Sequence, residues 1–146
     1  MADCRVTTYS FNDVAVTLDT HLVEGFWEGD DVVQVADNAD VATPVVGADG
    51  CSIVSIDADN AVLVTLRLKP TSAAHDFLRK KVRAMKNGGA RPIAITVRDT
   101  NSNEGGSGAE AFVIRQPTAT HGKKATSRDW VLFVGCWNDQ PVVGGV

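Results

Sequence analysis

Residues 24–50 read EGFWEGDDVVQVADNADVATPVVGADG. The stretch is acidic, carries two large aromatics (Phe26 and Trp27) and contains neither Lys nor Arg. Two strand-like runs, residues 31–36 and 41–46, flank the turn-formers Asp37-Asn38-Ala39-Asp40. Apolar-rich runs around a short polar break predict a β-hairpin, here one spanning residues 24–50 and protruding from the body. Neither arm alternates cleanly enough to bury a face, so the hairpin cannot close a core alone. It calls for a partner surface.

At 146 residues the chain reads as a single domain, 1–146, large enough for a hydrophobic core. A hydrophobic fraction of 44% and a charged fraction of 22% are ordinary for a globular protein. The opening residues 1–10 read as a loose N-terminal arm without the apolar segment of a secretory signal, and no apolar run reaches membrane-spanning length. The expectation is folding in a reducing cytosol. The net charge of −4 hides a division. Residues 1–66 hold one cation and twelve acids, a sum of −11; residues 67–146 hold thirteen cations and six acids, a sum of +7. If the division survives folding, it gives a subunit with opposed ends, suited to head-to-tail association with copies of itself.

Working outward, residues 13–19 alternate, with Val14, Val16 and Leu18 on one face and Asp13, Ala15, Thr17 and Asp19 on the other. That is a half-buried strand. Strands are also expected over residues 51–56 and 61–69, the second with Val62, Val64, Leu66 and Leu68 inward. Pro70 ends it, and Thr71 or Ser72 can cap a helix over residues 73–86 that Gly88-Gly89 terminates. Ala74, Leu78, Val82 and Met85 form its apolar stripe, with Phe77 at the edge; Arg79, Arg83 and Lys86 occupy another side. Strands follow over residues 92–99 and 109–115, separated by a soft Ser/Gly/Asn loop at 101–108. Residues 117–127 form a second polar loop holding His121, Lys123 and Lys124. In the last strand, residues 129–137, Trp130, Leu132, Val134 and Cys136 share one face and Val131, Phe133 and Trp137 the other. A strand apolar on both sides needs cover on both. Residues 138–146 read as a C-terminal tail. The sum is a mainly β chain, an antiparallel β-sandwich or barrel with one packed helix.

No catalytic pattern stands out, and the chain is not expected to be an enzyme. His21, His75 and His121 are far apart with no Cys or carboxylate at metal-ligand spacing, so no metal or other cofactor is expected. Cys136 and His121 could be drawn into a triad with an Asp, but no local signature supports it. No P-loop is present, and Asp57-Ala58-Asp59-Asn60 lacks the twelve-residue calcium pattern. The basic helix face has no interleaved aromatics, which argues against sequence-specific nucleic-acid reading.

Several short motifs in order resemble one family. They are Tyr9-Ser10-Phe11-Asn12-Asp13-Val14, Val46-Gly47-Ala48-Asp49-Gly50 after the acidic hairpin, and Leu66-Arg67-Leu68 before the helix. Thr96-Val97-Arg98-Asp99-Thr100, Gln116-Pro117 and Arg128-Asp129-Trp130 extend the series, so that it covers residues 9–137. This order is similar to that of the tail tube proteins of contractile-tailed bacteriophages. The Phe26-Trp27 pair, the glycine-rich 105–108 stretch and the three cysteines are not features that family requires.

The resemblance implies a structural virion protein whose hexameric rings stack into the inner tail tube, the conduit for genome ejection inside a contractile sheath. It implies as partners further copies of the chain, the sheath, baseplate and tail-terminator proteins, a tape-measure protein in the lumen, and DNA passing without sequence-specific binding. The location implied is the virion tail, after assembly in the host cytoplasm. Contacts between subunits or rings would fall on Phe26, Trp27, Asp30, Asp31, Asp37 and Asp40 of the hairpin and on Phe133 and Trp137 of the last strand. Lumen candidates are Asp13, Thr17, Asp19, Ser52 and Ser55, because a cationic wall would hold phosphates and slow transit. Arg79, Arg83 and Lys86 would face the sheath. Cys4, Cys51 and Cys136 are the candidates for an inter-subunit disulfide, Cys4 and Cys51 because both could reach a neighbour; buried free thiols are the ordinary alternative, and Cys136 on an apolar strand face fits it well. Two alternatives remain at this stage: the tube of a phage-derived secretion or bacteriocin machine, and a cytosolic β-sandwich binding module.

Overall fold

A computed structural model of the chain describes residues 6, 8–89, 91–100 and 104–139. Strand β6 (Val62–Leu68) shows how the sequence dictates the fold. Its strict alternation buries Val62, Val64, Leu66 and Leu68 and leaves Leu63, Thr65 and Arg67 half-exposed on the opposite face. Each such side chain taken out of water contributes about 1.5–3 kcal/mol, which fixes the register against a one-residue slip. Strand β9 (Arg128–Val134) lies antiparallel beside it with the same alternation, Trp130 opposite Leu66 and Leu132 opposite Val64.

The other strands are β1 (Val14–Leu18), β2 (His21–Leu22), β3 (Val33–Asp37), β4 (Ala42–Val46), β5 (Ser52–Ile56), β7 (Ile93–Asp99), β8 (Gly105–Arg115) and β10 (Asn138–Asp139). Eight of the ten form one antiparallel sheet in the order β2-β1-β7-β8-β9-β6-β3, with β10 also paired to β8; β4 and β5 pair only with each other. Strands from well-separated places in this order, β1 and β6 among them, contribute to a single core cluster together with helix α1 (Ala74–Lys86). The sheet therefore curls around its contents. Segment 21–27 links β1 to β6 across the curl: Val23 N–H donates to the Val16 carbonyl of β1 at 2.9 Å, and Phe26 bridges to Leu68 of β6. Phe11, in a 3-10 turn before β1, meets the Phe26 ring edge-on with centroids 5.2 Å apart.

Helix α1 buries Ala74, His75, Leu78 and Val82 against this core, while Met85 is only half-buried. Ser72 prepares its start. The hydroxyl donates to the Glu24 carbonyl and accepts from the Ala74 N–H, anchoring the first turn to the segment before β3. Gly88, at φ +84°, ends the helix. Inside, His75 is 4% exposed and its ring is satisfied on both nitrogens. Nδ1 accepts from Trp130 Nε1–H at 2.9 Å and Nε2 lies 2.7 Å from the Lys69 carbonyl, to which it donates in that tautomer.

Four expectations need correction. The predicted hairpin does not form as drawn. Residues 33–37 pair with β6, Val33 opposite Leu66 and Asp37 opposite Val62, because Val32 and Val33 have a core edge to join. The hairpin that stands off the sheet is instead β4–β5, turned by residues 47–51: Gly47 N–H donates to the Cys51 carbonyl and the Asp49 carboxylate accepts from the Cys51 N–H. The soft loop at 101–108 is partly strand. Gly106 and Gly108 belong to β8 because Trp137 and Val134 lie against them; a Cβ there would sit 2.6 Å from the indole and 2.2 Å from a Val134 methyl. Cys136 leaves the buried face at the end of β9 and is exposed, and Trp137 takes the buried position at 8% exposure. Finally, residues 138–139 of the expected tail pair with β8; the remainder, 140–146, lies outside the described residues, as do positions 1–5 and 7 of the expected arm.

Candidate functional site

Among the described residues no group of His, Cys, Asp or Glu could hold a metal ion, and no helix is long and apolar enough to cross a membrane. The features that stand out are surfaces, set at opposite ends of the strands.

At one end meet the start of β1, the end of β7, the start of β8, the end of β3 and the start of β6, with Val14 opposite Asp99, Arg98 opposite Gly105, and Asp37 opposite Val62. This end is acidic. Asp13, Asp37, Asp57, Asp59, Asp99, Glu104 and Asp139 lie on or beside it. Asp59 caps the entry to β6, its carboxylate accepting from the Ala61 N–H at 2.8 Å and the Asn38 side-chain amide at 3.1 Å. The Ala61 N–H, followed by Asn38, holds its pKa below the ordinary 3.8. A cleft of about 830 Å³ opens here and extends along β3 to Trp27, Glu28 and Asp30, beside Arg67 near the other end of β6. Its walls carry the aromatics Tyr9, Phe11, Trp27 and Trp137, the valines of β3, and carboxylates including Glu28, Asp30 and Asp37; among the described residues no Lys, Arg or His lines it.

The opposite end holds the exits of β6 and β8 and the entries of β7 and β9, and there Lys69, Arg91, Arg115, Lys123, Lys124 and Arg128 collect. The division of charge along the chain is thus partly a division in space, moderated by Asp19, Glu24, Asp31, Asp76 and Asp129 at the basic end and by Arg98 at the acidic one. Arg128 is 7% exposed and organises the loop before β9. Its guanidinium donates to the Thr126 carbonyl and hydroxyl (3.1 and 2.6 Å), the Ser127 carbonyl (3.2 Å) and the Thr120 carbonyl (2.9 Å). The Thr126 hydroxyl donates to the Thr120 carbonyl at 3.1 Å. His121, Lys123 and Lys124 are exposed at the tip of the loop so clamped.

From the acidic end extends hairpin β4–β5, every residue of which is exposed except Ala42. Val45, Val46, Ile53, Val54 and Ile56 are between 55 and 81% exposed. A two-stranded ribbon with apolar side chains on both faces is marginal in water without a partner.

The expected contact residues scatter. Asp30, Asp37 and Asp40 are exposed. Asp31 is engaged within the subunit by Arg67 at 2.8 Å, and Arg67 lies opposite Asp129 on β9 with a longer 3.7 Å approach. Phe26 and Trp27 are half-buried, and Trp137 belongs to the core, its indole N–H donating to Asp139 at 2.7 Å. Phe133 is half-buried on the sheet's outer face, in register with Leu63 of β6 and Phe112 of β8 on either side of it.

The lumen candidates do not share one wall. Thr17 lies on the outer face of β1 opposite Thr96, and Asp13 sits in the turn at that strand's start. Asp19 accepts from the Ala94 N–H at 2.9 Å and pairs with Lys81 of the helix at 3.0 Å. These contacts, the Ala94 N–H first, hold its pKa below 3.8. Ser52 and Ser55 belong to the hairpin. Arg79, Arg83 and Lys86 are exposed on the helix. Cys51 is a free, exposed thiol at the hairpin turn, and Cys4 lies outside the described residues. Sequence reading missed the cleft, the Arg128 clamp and the His75–Trp130 pair. The one signal available was the threonine-rich run preceding Arg128.

Residues 6–140 match the family described as "Bacteriophage PhiTE tail tube protein". "Structural protein ORF10" of Pseudomonas phage KPP10 is 28% identical over 138 residues, covering 88% of this chain and 78% of that relative. Among solved structures, a chain from a virion of a native gene transfer agent particle superposes with a TM-score of 0.64 at 12% identity, covering 92% of this chain and all of that one. A chain from the sheath/tube terminator of an extracellular contractile injection system, PVC, in its extended state gives 0.65 at 13% identity over 97% of this chain and all of the other. At such identities these two likenesses speak for the fold alone.

Proposed function

Because the chain belongs to the bacteriophage PhiTE tail tube protein family, we propose that it builds the inner tube of a phage tail as stacked hexameric rings through which the genome leaves inside a contractile sheath. The observation that carries this reading is hairpin β4–β5, apolar on both faces and projecting from the acidic end of the subunit. Docked on the next ring, its valines and isoleucines would leave water, each contributing on the order of 1–2 kcal/mol. Within a ring, β2 and β3 are the two ends of the sheet's strand order, and edge-to-edge pairing between neighbours would close a continuous wall. The Leu63–Phe133–Phe112 row supplies an apolar patch for a protomer contact.

The partners follow from the same arrangement: the sheath against the basic helix face, a terminator and a baseplate at the two ends of the tube, a tape-measure protein in the lumen, and DNA in transit without sequence reading. Particles would assemble in the host cytoplasm and persist in the virion tail. Cys51, exposed at the hairpin turn, is the described thiol best placed to meet a neighbouring subunit after lysis, which non-reducing electrophoresis of mature particles tests. A tube in a secretion or bacteriocin machine would use the same surfaces, and a neighbouring capsid and portal gene decides between them.

Negative-stain microscopy of the purified chain tests the reading. Six-fold rings and tubes are expected. Asn38 N–H donates to the Ala61 carbonyl at 3.0 Å, so residues 41–57 can be replaced by Gly-Gly without opening β3 from β6. The shortened chain should keep the circular dichroism of the body and form no tubes. Unimpaired tube growth would sink the proposal.

A further inference from the structure

Pairing within the β4–β5 ribbon decides which of its two edges is open. Asp57 N–H donates to the Val41 carbonyl and Gly47 N–H to the Cys51 carbonyl, so 41/57 and 47/51 are hydrogen-bonded pairs. Such pairs alternate with non-bonded ones along an antiparallel ladder. Ala42, Pro44 and Val46 of β4 therefore turn their backbone groups outward to one edge, and Ser52, Val54 and Ile56 of β5 turn theirs to the other. The middle position of the β4 edge is a proline, which has no N–H to offer. The β5 edge contains none. One edge of the ribbon is blunted and the other is open.

Strand β3 has an edge of the same kind. Arg67 N–H donates to the Val32 carbonyl and Asn38 N–H to the Ala61 carbonyl, so by the same alternation Gln34 and Ala36 bond to β6. Val33, Val35 and Asp37 turn their backbone groups the other way, where β3 ends the strand order of the sheet. All three line the cleft. Within one subunit β4 cannot fold back on β3 while it stays paired to β5, because Pro44 falls on the edge they would share. Strand β5 of the same chain cannot cover the whole of this edge either. With Ile56 beside Val33, its partner Ala42 would lie five residue steps back along β3 and two strand spacings across it, about 19 Å from Asn38. Four residue steps reach only about 14 Å.

We propose that β5 of one subunit adds as an antiparallel strand to the open edge of β3 in a neighbouring subunit, with Val54 opposite Val35, Ile56 opposite Val33 and Ser52 opposite Asp37. Residues directly opposite share a face, so Val54 and Ile56, exposed in the single subunit, come to lie beside Val33 and Val35 over the cleft. This rests on the tube reading and names the strand that meets β3; β2, with two residues, offers no ladder of this length. The occupant is a second copy for three reasons. A two-stranded ribbon needs a third strand to be stable in water. Strands β4 and β5 carry no charged side chain, so the ribbon brings no like charge to the carboxylates of the cleft. Every copy carries one open edge of each kind, and a heterologous contact repeated around an assembly uses them all.

Proline substitution tests the two edges separately, since at an outward position it removes one edge N–H and spares the ladder on the other side. Val54→Pro and Val35→Pro should each raise the subunit concentration needed for tube growth about tenfold in sedimentation. Val46→Pro, on the edge Pro44 already interrupts, should change it by less than about threefold. Equal effects of Val46→Pro and Val54→Pro would overturn the proposal. A cross-link tests the register without relying on those variants. In a chain with Cys4, Cys51 and Cys136 changed to Ser, Val35→Cys with Val54→Cys puts two thiols on opposed residues whose Cα atoms lie about 5.5 Å apart, within disulfide reach. Oxidised tubes should then run as a ladder of multimers in non-reducing denaturing electrophoresis. Val35→Cys with Ile53→Cys, which points the second thiol to the other face, should give monomer. Monomer from the first pair, whether unlinked or linked within one chain, would overturn the proposal. A wild-type chain that forms no tubes would refute the tube reading, while multimers linked through positions 35 and 54 in such a chain would still establish the strand pairing.

Discussion

The His75–Trp130 bond joins helix α1 to the centre of the sheet, and its removal has a calculable effect. Trp130 is fully buried, and its only described hydrogen-bond partner is His75 Nδ1 at 2.9 Å. Substituting His75→Leu keeps comparable volume but leaves the indole N–H without an acceptor. An orphaned buried donor costs about 1–3 kcal/mol. The Lys69 carbonyl also loses its donor, but Lys69 is exposed and water can replace it. A loss of about 2 kcal/mol is expected, lowering the melting temperature by about 4–8 °C in a domain of this size. Trp130→Phe should cost about 2–3 kcal/mol, from the smaller ring and the stranded Nδ1. Combining the two removes donor and acceptor together, so the double variant should be little worse than Trp130→Phe alone. The resulting coupling is about 1–2 kcal/mol. Urea unfolding followed by far-ultraviolet circular dichroism, below the concentration of assembly, measures it. Single effects that add to within about 0.3 kcal/mol would refute the assignment of this bond as a net stabilising link.

Gly106→Ala should destabilise by about 1–3 kcal/mol and alter the near-ultraviolet dichroism of Trp137, because the new Cβ would lie 2.6 Å from the indole; Gly122→Ala, with nothing within 4 Å, is the neutral control. Asp19, whose carboxyl is held below 3.8 by the Ala94 N–H and then Lys81, stabilises the fold above that pH. The contribution is lost as pH falls through the lower folded value. Asn at position 19 tolerates its φ of +53° and removes the charge, so D19N should be less stable than wild type at pH 7 and converge with it in acid-unfolding curves near the bottom of the carboxylate range. Reversing Arg79, Arg83 and Lys86 to Glu should weaken sheath assembly on preformed tubes while leaving tube formation intact, with the difference fading at high salt, as exposed pairs worth about 0–1 kcal/mol each require.

The body was legible where a strand buries one face. Alternation alone identified β1, β6 and β7 and gave the inward residues of β6, because burial on one side imposes a period of two. Helix α1 announced itself by its apolar stripe and by Gly88. What failed was pairing. Residues 31–36 and 41–46 look like hairpin arms because sequence proximity favours them, yet β3 gains a core edge at β6 that β4 cannot offer. The start of β8 was hidden for another reason. Gly106 and Gly108 carry no strand propensity of their own and make sense only once Trp137 lies across them. The contact surfaces suffered the same limit: Asp31 looks like its neighbouring acids until Arg67 arrives from thirty-six positions away.

Strand order also governs how the chain can be made. Val14 pairs with Asp99, and β6 finds its central neighbour only when residues 128–134 appear. The N-terminal half therefore leaves the ribosome long before the strands that complete its sheet exist, a topology that folds slowly and exposes unpaired edges meanwhile. That waiting half is the one with twelve acids and a single cation in its first sixty-six residues. Mutual repulsion at that charge density would keep nascent chains apart and delay collapse until the cationic half arrives to neutralise it. On this account the uneven distribution of charge would act in time as well as in space, guarding an incomplete sheet before it serves a finished one. A fragment ending at residue 69 should accordingly remain soluble and show no strand signal by circular dichroism; an aggregating or folded fragment would contradict this account.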